Sequence, residues 1–431
     1  MSYATTVRTA KSSERARVVI PPGPLDGIRV LDFSRVLSGP IAGRNLHDLG
    51  AEVIKVEPPE GDLVRFAQPK VGSISLYYAQ QNTGKRNLSI DLHHPHAAAI
   101  VLDLAEHVDV VIENFRPGVM DRLGIGWDQL SARNPRLVMG SISGYGQTGA
   151  WRDRRAYAVV IHAEMGLIEA GGRFRADAAN DAAANEPLQD AMSHADVYAG
   201  LHLTAAITAA LLARERSGRG QWVEVDMAEA LLHANDFTHW DLSSIDIGSY
   251  RPAFSPPYSP IVRTGAGPRV VIAGDPAGPG LFELYCAAMG RPDLLDDVRF
   301  GREARRGHRA DAIDIIETWT LSYTDLDELE RVLGAHGLPM GVVRSTREAA
   351  TNAWATERGA VVEVDDRQGG TVSIPQAPWR FSDATTGAHG KPAFRGEHNR
   401  EVLRELLGTD DATLTRWEAD GVLSSRLPKT E

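Results

Sequence analysis

Residues 28–57 decide the fold, and they read IRVLDFSRVLSGPIAGRNLHDLGAEVIKVE. The apolar run at 28–33 is short and bounded by a turn, which is typical of a buried parallel strand. Residues 39–50 have the pattern of a helix that ends at its glycine, and residues 51–57 form a second apolar run. A strand, a helix and a second strand predict a βαβ unit at the start of an α/β fold.

The same alternation continues along the chain. Further strands are predicted at 87–92, 108–113, 136–143 and 221–227. Helices are predicted between and after them, at 95–107, 195–217 and 228–236. This order predicts a larger Rossmann-like domain in which helices flank a parallel sheet.

Four prolines between residues 249 and 260 mark a change in composition and predict a domain boundary. A smaller α+β domain is expected after them, with a hairpin at 262–273 and helices at 280–289, 309–321 and 326–336. Further helices are expected at 401–407 and 411–420. The predicted organisation is a disordered leader at 1–23, the larger α/β domain at 24–245, the smaller domain at 246–350, and a linker with a C-terminal return to the larger domain at 351–431.

The composition of the 431 residues is typical of a globular enzyme, with 43% hydrophobic and 24% charged residues and a net charge of −11 at pH 7. A net-acidic chain is a poor ligand for nucleic acid or an anionic membrane, so neither is expected as a partner. No apolar run approaches the roughly 18 residues of a membrane span. The first twenty residues are polar and lack the apolar core of a secretory signal, which predicts a cytoplasmic protein.

Metal and disulfide chemistry are not indicated. The only cysteine, Cys286, lies in an apolar helical pattern and is expected to be a buried structural thiol. The histidines His93, His94 and His96 surround a proline, and no spacing typical of a metal site accompanies them. A solvated turn explains that cluster, so no metal is expected.

The opening βαβ unit resembles a dinucleotide site, because Glu57 ends the second strand at about the sequence distance from the first turn that is expected of a ribose ligand. The turn before the helix carries Gly39 and Gly43, with Pro40 and Ile41 between them. It lacks the G-x-G-x-x-G pattern that lets a pyrophosphate approach the backbone. A nicotinamide or flavin site is therefore not favoured.

Short motifs follow one another in a fixed order from Pro24 almost to the end of the chain. They are PLDGIRVLDF at 24–33, GP at 39–40, GAEVIKVE at 50–57, NTGKRNL at 82–88, ENFRPG at 113–118, DRLG at 121–124, SGYG at 143–146, ADVYAG at 195–200, SGRGQWVEVDM at 217–227, RPDLLDDVRF at 291–300 and GEHN at 396–399. In this order they resemble the class III CoA-transferase (CaiB/BaiF) family, which includes formyl-CoA transferase and carnitine CoA-transferase. The resemblance implies the two-domain α/β fold predicted above and an interlocked homodimer, with which the long connections at 241–260 and 346–378 are compatible.

The resemblance also implies a nucleophile, because the family carries an aspartate just before a long alanine-rich helix and Asp196 stands at that position. A carboxylate can attack an acyl-CoA thioester to give a mixed anhydride, and the released thiolate can return to give an aspartyl-CoA thioester. Such a cycle needs an acyl-CoA and a carboxylic acid as substrates and no permanently bound cofactor. By position alone, Asp196 is expected to be a helix cap.

Contacts to CoA follow from the same resemblance. Val36, Leu37 and Ser38 are expected to line the pantetheine approach. The nucleotide and thioester are expected to contact Ile90, His93, Asn114, Phe115, Arg116, Arg122, Arg155 and Tyr157. Two basic positions of the family are Pro58 and His93 here, and residues 252–260 are rich in proline where the family has a glycine-rich loop over the active site.

Two alternative functions remain open. An acyl-CoA racemase of the same superfamily uses a Gly-His-Asp triplet, which is absent because residues 155–162 read RAYAVVIH, with His162 where many transferases have glutamine. A non-catalytic CoA-binding protein is opposed by the presence of Asp196. No residue decides the acid pair, and the polar positions Tyr157, His162, Glu164 and His233 are noted without an assigned role.

Overall fold

The computed structural model describes residues 22–179, 185–243 and 256–427. Its strands are β1 Arg29–Asp32, β2 Glu52–Glu57, β3 Lys70–Val71, β4 Ile74–Ser75, β5 Arg86–Ser89, β6 Val110–Glu113, β7 Val138–Ser143, β8 Gln221–Asp226, β9 Ile261–Arg263, β10 Arg269–Ile272, β11 Met340–Val342, β12 Val361–Asp365 and β13 Thr371–Pro375. The leader at 1–21, the segment at 180–184, most of the proline-rich stretch and the last four residues lie outside the described residues.

The α-helices pack around these strands. They are α1 Ser38–Asp48, α2 Leu76–Asn82, α3 Ala97–Ala105, α4 Val119–Arg122, α5 Trp127–Arg133, α6 Ala158–Glu164, α7 Leu167–Ala179, α8 His194–Ser217, α9 Met227–Ala234, α10 Thr238–Ser243, α11 Leu281–Met289, α12 Arg309–Thr320, α13 Leu326–Ala335, α14 Thr346–Thr351, α15 Ala353–Arg358, α16 Asn399–Leu407 and α17 Asp411–Ala419.

A six-stranded sheet forms the centre of the fold, in the order β5-β2-β1-β6-β7-β8. Every pairing in it is parallel, which confirms the parallel sheet flanked by helices. The strand order reverses between β1 and β6, since the chain builds outward from β1 on one side and from β6 on the other. Open α/β sheets bind ligands at such a reversal, in the crevice beyond the carboxyl ends of the strands.

Alternation along the strands builds a core on each face of this sheet. Leu31 packs on one face, together with α3, α5, α16 and α17, whereas its neighbour Val30 packs on the other face, together with α1, α8 and α9. Successive strand residues point to opposite faces, so an uninterrupted apolar strand is buried on both. The C-terminal Val402 and Leu423 belong to the first of these cores.

A separate core surrounds the antiparallel strands β9, β10 and β11. Val262 and Ile272 pack there against Tyr285 of α11 and Leu333 of α13. The predicted hairpin at 262–273 is present as β9 and β10. Cys286 is buried nearby, as expected. The domain bounds stay a prediction.

Helix α8 is the longest helix that the structure describes, with 24 residues, and its length and composition would also suit a membrane span. Its buried side, which includes Leu203 and Ile207, packs against β7, β8, α1 and α9. Its other side exposes Leu201 and Leu212, at 46% and 57% of their surface. The helix is therefore a core element with one apolar face left uncovered.

Candidate active site

A cavity of about 490 Å³ opens at the carboxyl edge of the central sheet, beyond the ends of β1, β6 and β7. The predicted site residues that line it are Val36, Leu37, Ser38, Asn114, Phe115, Arg116, Arg155, Tyr157 and Asp196. They come from four parts of the sequence that the sheet brings together. The cavity therefore lies at the reversal of strand order, where a ligand site is expected.

Asp196 is the third residue of α8 and faces this cavity. Burial raises its pKa to about 6, although hydrogen bonds from the hydroxyl and the backbone N–H of Ser38 act in the opposite direction. Tyr77 lines the same cavity, and burial together with the charge of Asp196 raises the pKa of its phenol. At neutral pH Asp196 is ionised yet more basic than an ordinary carboxylate, which suits a nucleophile.

Gly200 brings Asp196 and Ser38 together. It lies one turn after Asp196 on α8, and a Cβ atom there would lie 2.5 Å from the carbonyl oxygen of Ser38. Only glycine permits this close approach of α8 to the first turn of α1. The side chain of Asn114 donates to Ser38 Oγ at 3.1 Å and so orients the hydroxyl from the neighbouring strand end.

His162 fixes the start of α8. Its Nε2 accepts a hydrogen bond from the backbone N–H of Ala195 at 3.2 Å, whereas the side chain of Ser193 at the cap position makes no such bond. This bond assigns the proton of the neutral ring to Nδ1. Burial, together with the nearby His194, lowers the pKa of His162, so the ring stays neutral and remains an acceptor.

Cationic side chains surround the mouth of the cavity. Arg35 is held by the carbonyl of Gly61 at 3.2 Å, and Arg154 pairs with Glu164. Arg116 and Arg155 are exposed and form no ion pair with any residue that the structure describes. Two free guanidinium groups beside a partly apolar cavity are suited to an anionic ligand with an apolar arm, such as CoA.

Comparison with known proteins agrees with this arrangement. The family model described as CoA-transferase family III matches residues 25–399. This chain belongs to CoA-transferase family III. It is therefore an enzyme of this class, which acts on CoA thioesters.

The similarity extends over whole chains. A succinyl-CoA–D-citramalate CoA-transferase from Chloroflexus aurantiacus is 34% identical and covers 94% of this transferase and 99% of its own length. A formyl-CoA:oxalate CoA-transferase from Streptomyces avermitilis is 32% identical, with 93% and 99% covered. The crystal structure of a CaiB/BaiF family protein from Brucella suis superposes with a TM-score of 0.75 at 30% identity and covers 89% of this chain and 100% of its own.

Three predicted CoA contacts of the transferase lie outside the cavity. The side chain of Ile90 is fully buried in the core beside α3, and its backbone pairs with Leu423. His93 is in an exposed turn after β5, which is two strands away from β1. Arg122 is exposed at the end of α4, beside Gly118. Proximity in sequence to a strand end does not bring a side chain to this cavity when the strand lies at the edge of the sheet.

The remaining candidates have other partners. Glu57 is buried against Arg65 at 2.7 Å; burial opposes its ionisation, but Arg65 lowers its pKa to about 2. Glu57 therefore forms a buried ion pair and is not a ribose ligand. His233 packs edge to face against His202, outside the cavity. Residues 252–260 stand where the family has its loop over the active site. Residues 252–255 of this segment lie outside the described residues, and Tyr258 is buried away from the cavity.

Proposed function

We propose that this family III enzyme moves CoA from an acyl-CoA thioester to a carboxylic acid, with Asp196 as the nucleophile. The observation that carries the proposal is a partly buried carboxylate with a pKa raised to about 6, in a cavity between Ser38 and free arginines. Burial makes the carboxylate reactive, and hydrogen bonds from Ser38 orient it. The arginines supply the charge that the CoA phosphates require.

The proposed reaction has two symmetrical halves. The Asp196 carboxylate attacks the thioester carbonyl, and the C–S bond breaks to give a mixed anhydride and the CoA thiolate. The thiolate then attacks the aspartyl carbonyl and releases the first carboxylate, which leaves an aspartyl-CoA thioester. The acceptor carboxylate attacks this thioester, and the thiolate released then attacks the acceptor's carbonyl in the new anhydride to complete the exchange.

Ser38 supplies donors throughout this cycle. Its N–H and hydroxyl already face Asp196, so they can bind the oxygen that becomes negative when the aspartyl carbonyl is attacked. The donors are held before the substrate arrives and therefore need no reorganisation. Water has to be excluded during the anhydride stage, because hydrolysis would convert the transferase into a thioesterase.

We propose a dicarboxylic acid as the acceptor. The relatives named for D-citramalate, L-malate, glutarate and oxalate all act on acids with two carboxylates. In this chain Arg116 and Arg155 are available to bind the second carboxylate. A panel of mono- and dicarboxylic acids with succinyl-CoA, read by mass spectrometry, tests this choice.

The racemase alternative finds no support in the site. A racemase needs an acid and a base that are free to exchange a proton with the α-carbon. The Nε2 of His162 is occupied by Ala195, and its Nδ1 is buried without a hydrogen-bond partner among the described residues. Solvent deuterium at the α-carbon of a branched acyl-CoA is expected to stay unincorporated.

We further propose that the enzyme is a cytoplasmic homodimer. Leu201, Ala205 and Leu212 form an exposed apolar stripe along α8 at helical spacing, which a second copy would cover. The interlocked form of that dimer follows from the family resemblance alone. Light scattering on the purified enzyme is expected to give twice the mass of one chain.

Trapping tests the nucleophile. The enzyme is incubated with succinyl-CoA, quenched with hydroxylamine and digested, and the peptide that contains Asp196 is analysed by mass spectrometry. A hydroxamate is expected on Asp196. Asp226 is the internal control, because burial also raises its pKa to about 6 although it lies outside this cavity. A hydroxamate on Asp226, or none on Asp196, would contradict the proposal.

A further inference from the structure

Val36 has a strained backbone beside the proposed nucleophile. Its φ is 68°, in the left-handed region that a β-branched residue rarely adopts, and Arg367 is the only other non-glycine residue in the described ranges with a positive φ. Val36 lines the cavity two residues before Ser38. Such strain persists only where the surrounding structure holds it in place.

Buried side chains hold the loop that contains Val36. Both oxygens of Asp62 accept from the N–H of Val36 at 3.2 Å. Asn114 accepts from the N–H of Arg35 and donates to its carbonyl, both at 2.8 Å. Asn114 also donates to Ser38 Oγ at 3.1 Å, so the loop and the hydroxyl share one support.

The residue before Arg35 is held in the same way. Lys55 donates to the carbonyl of Ser34 at 2.7 Å, and Asp32 accepts from the N–H of Ser34 at 2.9 Å. The Ser34 hydroxyl also bonds to Asp32. Five consecutive backbone polar groups, from the N–H of Ser34 to the N–H of Val36, are therefore bound by side chains rather than by a sheet or helix.

The charges in this network are removed from water. Lys55 and Asp62 form an ion pair at 3.1 Å, and both side chains are fully buried. Lys85 pairs with Asp32 at 2.9 Å and reaches the carbonyl of Pro40 in α1 at 3.0 Å. Buried ion pairs of this kind add little net stability, since desolvation offsets their attraction. Their contribution is thus the geometry that they impose on the loop.

We propose that Lys55 and Asp62 are positioning residues that keep Val36 strained and thereby aim the N–H and hydroxyl of Ser38 at Asp196. This inference rests on the proposed role of Asp196. Without the Asp62 charge, Val36 relaxes toward negative φ and Ser38 withdraws from the carboxylate. Asp196 then loses both donors, which lowers the rate and raises the pH at which the carboxylate ionises.

The test compares Asp62→Asn with the wild-type enzyme, using kcat, KM and the pH dependence of kcat/KM. We expect kcat to fall about 10- to 100-fold while the KM for succinyl-CoA changes by less than about twofold. Hydrogen bonds from Ser38 stabilise the ionised form of Asp196 in the wild type. Their loss in Asp62→Asn is expected to move the acidic limb of the kcat/KM profile to higher pH. Of the titratable neighbours of Asp196, Tyr77 has a raised pKa and Asp190 a lowered one, whereas the lowered pKa of His162 moves toward that of Asp196; an acidic limb that persists in His162→Gln therefore belongs to Asp196.

A second substitution tests the strain itself. Glycine adopts a φ of 68° without cost, so Val36→Gly removes the tendency of the loop to relax. In the double variant Val36→Gly/Asp62→Asn we expect kcat to recover at least about fivefold over Asp62→Asn, with the acidic limb returning toward that of the wild type. If Asp62→Asn does not fold, Lys55→Met/Asp62→Asn carries the same test, because it buries no unpaired charge.

Asp109→Asn is the matched control. Asp109 binds Arg214 at 2.9 Å and the N–H of Arg29 at 2.9 Å, at the opposite edge of the same sheet. Its loss is expected to lower stability without moving the acidic limb. The inference is overturned if folded Asp62→Asn behaves like Asp109→Asn, or if the glycine substitution restores nothing. Absence of a hydroxamate on Asp196 in the wild type would instead overturn the proposed function.

Discussion

The two edges of the central sheet carry similar charged residues in opposite environments. At the amino edge, where the parallel strands begin, Arg29 binds Glu52 at 2.7 Å and Arg86 binds Glu52 at 2.6 Å, with side chains 16–32% exposed. At the carboxyl edge, Lys55 and Asp62 are fully buried. The strands are the same, so the difference lies in what covers their ends.

This difference determines what each group of charges can do. Water screens the amino-edge pairs, which contribute about 0–1 kcal/mol each. Burial prevents screening at the carboxyl edge, where the loss of one partner costs about 3–5 kcal/mol. The exposed pairs can therefore be replaced with little effect, whereas the buried pairs fix one conformation of the loop before Ser38. The reactive carboxylate of Asp196 lies beside the second group.

The largest effect is expected at Asp196, where a substitution should lower the activity and at the same time raise the stability. Asp196→Asn is expected to lower kcat at least about 10³-fold, because the nucleophile is lost. It is also expected to raise the free energy of unfolding at pH 8 by about 1–3 kcal/mol. Urea unfolding of both proteins at several pH values measures this gain.

The sign of this stability change follows from the raised pKa of Asp196. The folded state holds the proton up to about pH 6, whereas an unfolded aspartate releases it near the ordinary value of 3.8. The cost of the charge thus builds up between these two values and is complete above pH 6. The increase in the free energy of unfolding caused by Asp196→Asn should disappear at about pH 3. An increase that persists at this pH would contradict the raised pKa of Asp196.

A direct comparison of the two edges is expected to give the next largest effect. Lys85→Met leaves Asp32 buried without its partner at 2.9 Å and is expected to lower the free energy of unfolding by about 3–5 kcal/mol. Arg86→Met, at the amino edge, is expected to lower it by at most about 2 kcal/mol, because its pairs with Glu52, Glu401 and Glu405 are partly exposed to water. Urea unfolding at pH 7 measures both, and similar losses in the two variants would remove the distinction between the edges.

His162 is expected to give a moderate effect on catalysis. His162→Leu removes the acceptor for the N–H of Ala195 and is expected to lower kcat about 10-fold, because the first turn of α8 then holds Asp196 less firmly. His162→Gln keeps an acceptor and is expected to retain most of the activity. Steady-state kinetics on both variants distinguish a cap from a group that takes up a proton, since glutamine does not replace the latter.

The smallest effect is expected at Glu405, on the exposed side of the amino edge. It binds Arg86 at 2.9 Å with 46% of its side chain exposed. Glu405→Gln is expected to change the free energy of unfolding by less than about 0.5 kcal/mol, and less still at 1 M salt. A larger or salt-independent loss would indicate that this edge is not screened as described.

The sequence predicted the central sheet well, because buried parallel strands are continuous apolar runs and because α1 and α8 are followed by Gly50 and Gly218. Position alone indicated a cap for Asp196, and only the family resemblance pointed to a nucleophile. The cap interpretation is wrong, because Ser193 is at the cap position and Asp196 is the third residue of α8.

Other features could not be predicted, because they depend on distances between strands. Ile90 and His93 lie outside the cavity because β5 is at the edge of the sheet, and Arg122 is not among the residues that line the cavity. Lys55 appears in the sequence as one polar residue in an apolar strand, with no sign of its buried partner Asp62. The strain at Val36 has no sequence signature, since valine there predicts an ordinary extended residue.

The pH dependence of a single turnover tests the central claim most directly. The wild-type enzyme is mixed with succinyl-CoA between pH 4 and 8, quenched with hydroxylamine, and the hydroxamate on Asp196 is quantified against time. We expect an adduct on Asp196 whose rate of formation is half-maximal near pH 6. An adduct on another residue, or a rate that is already maximal at pH 5, would contradict it.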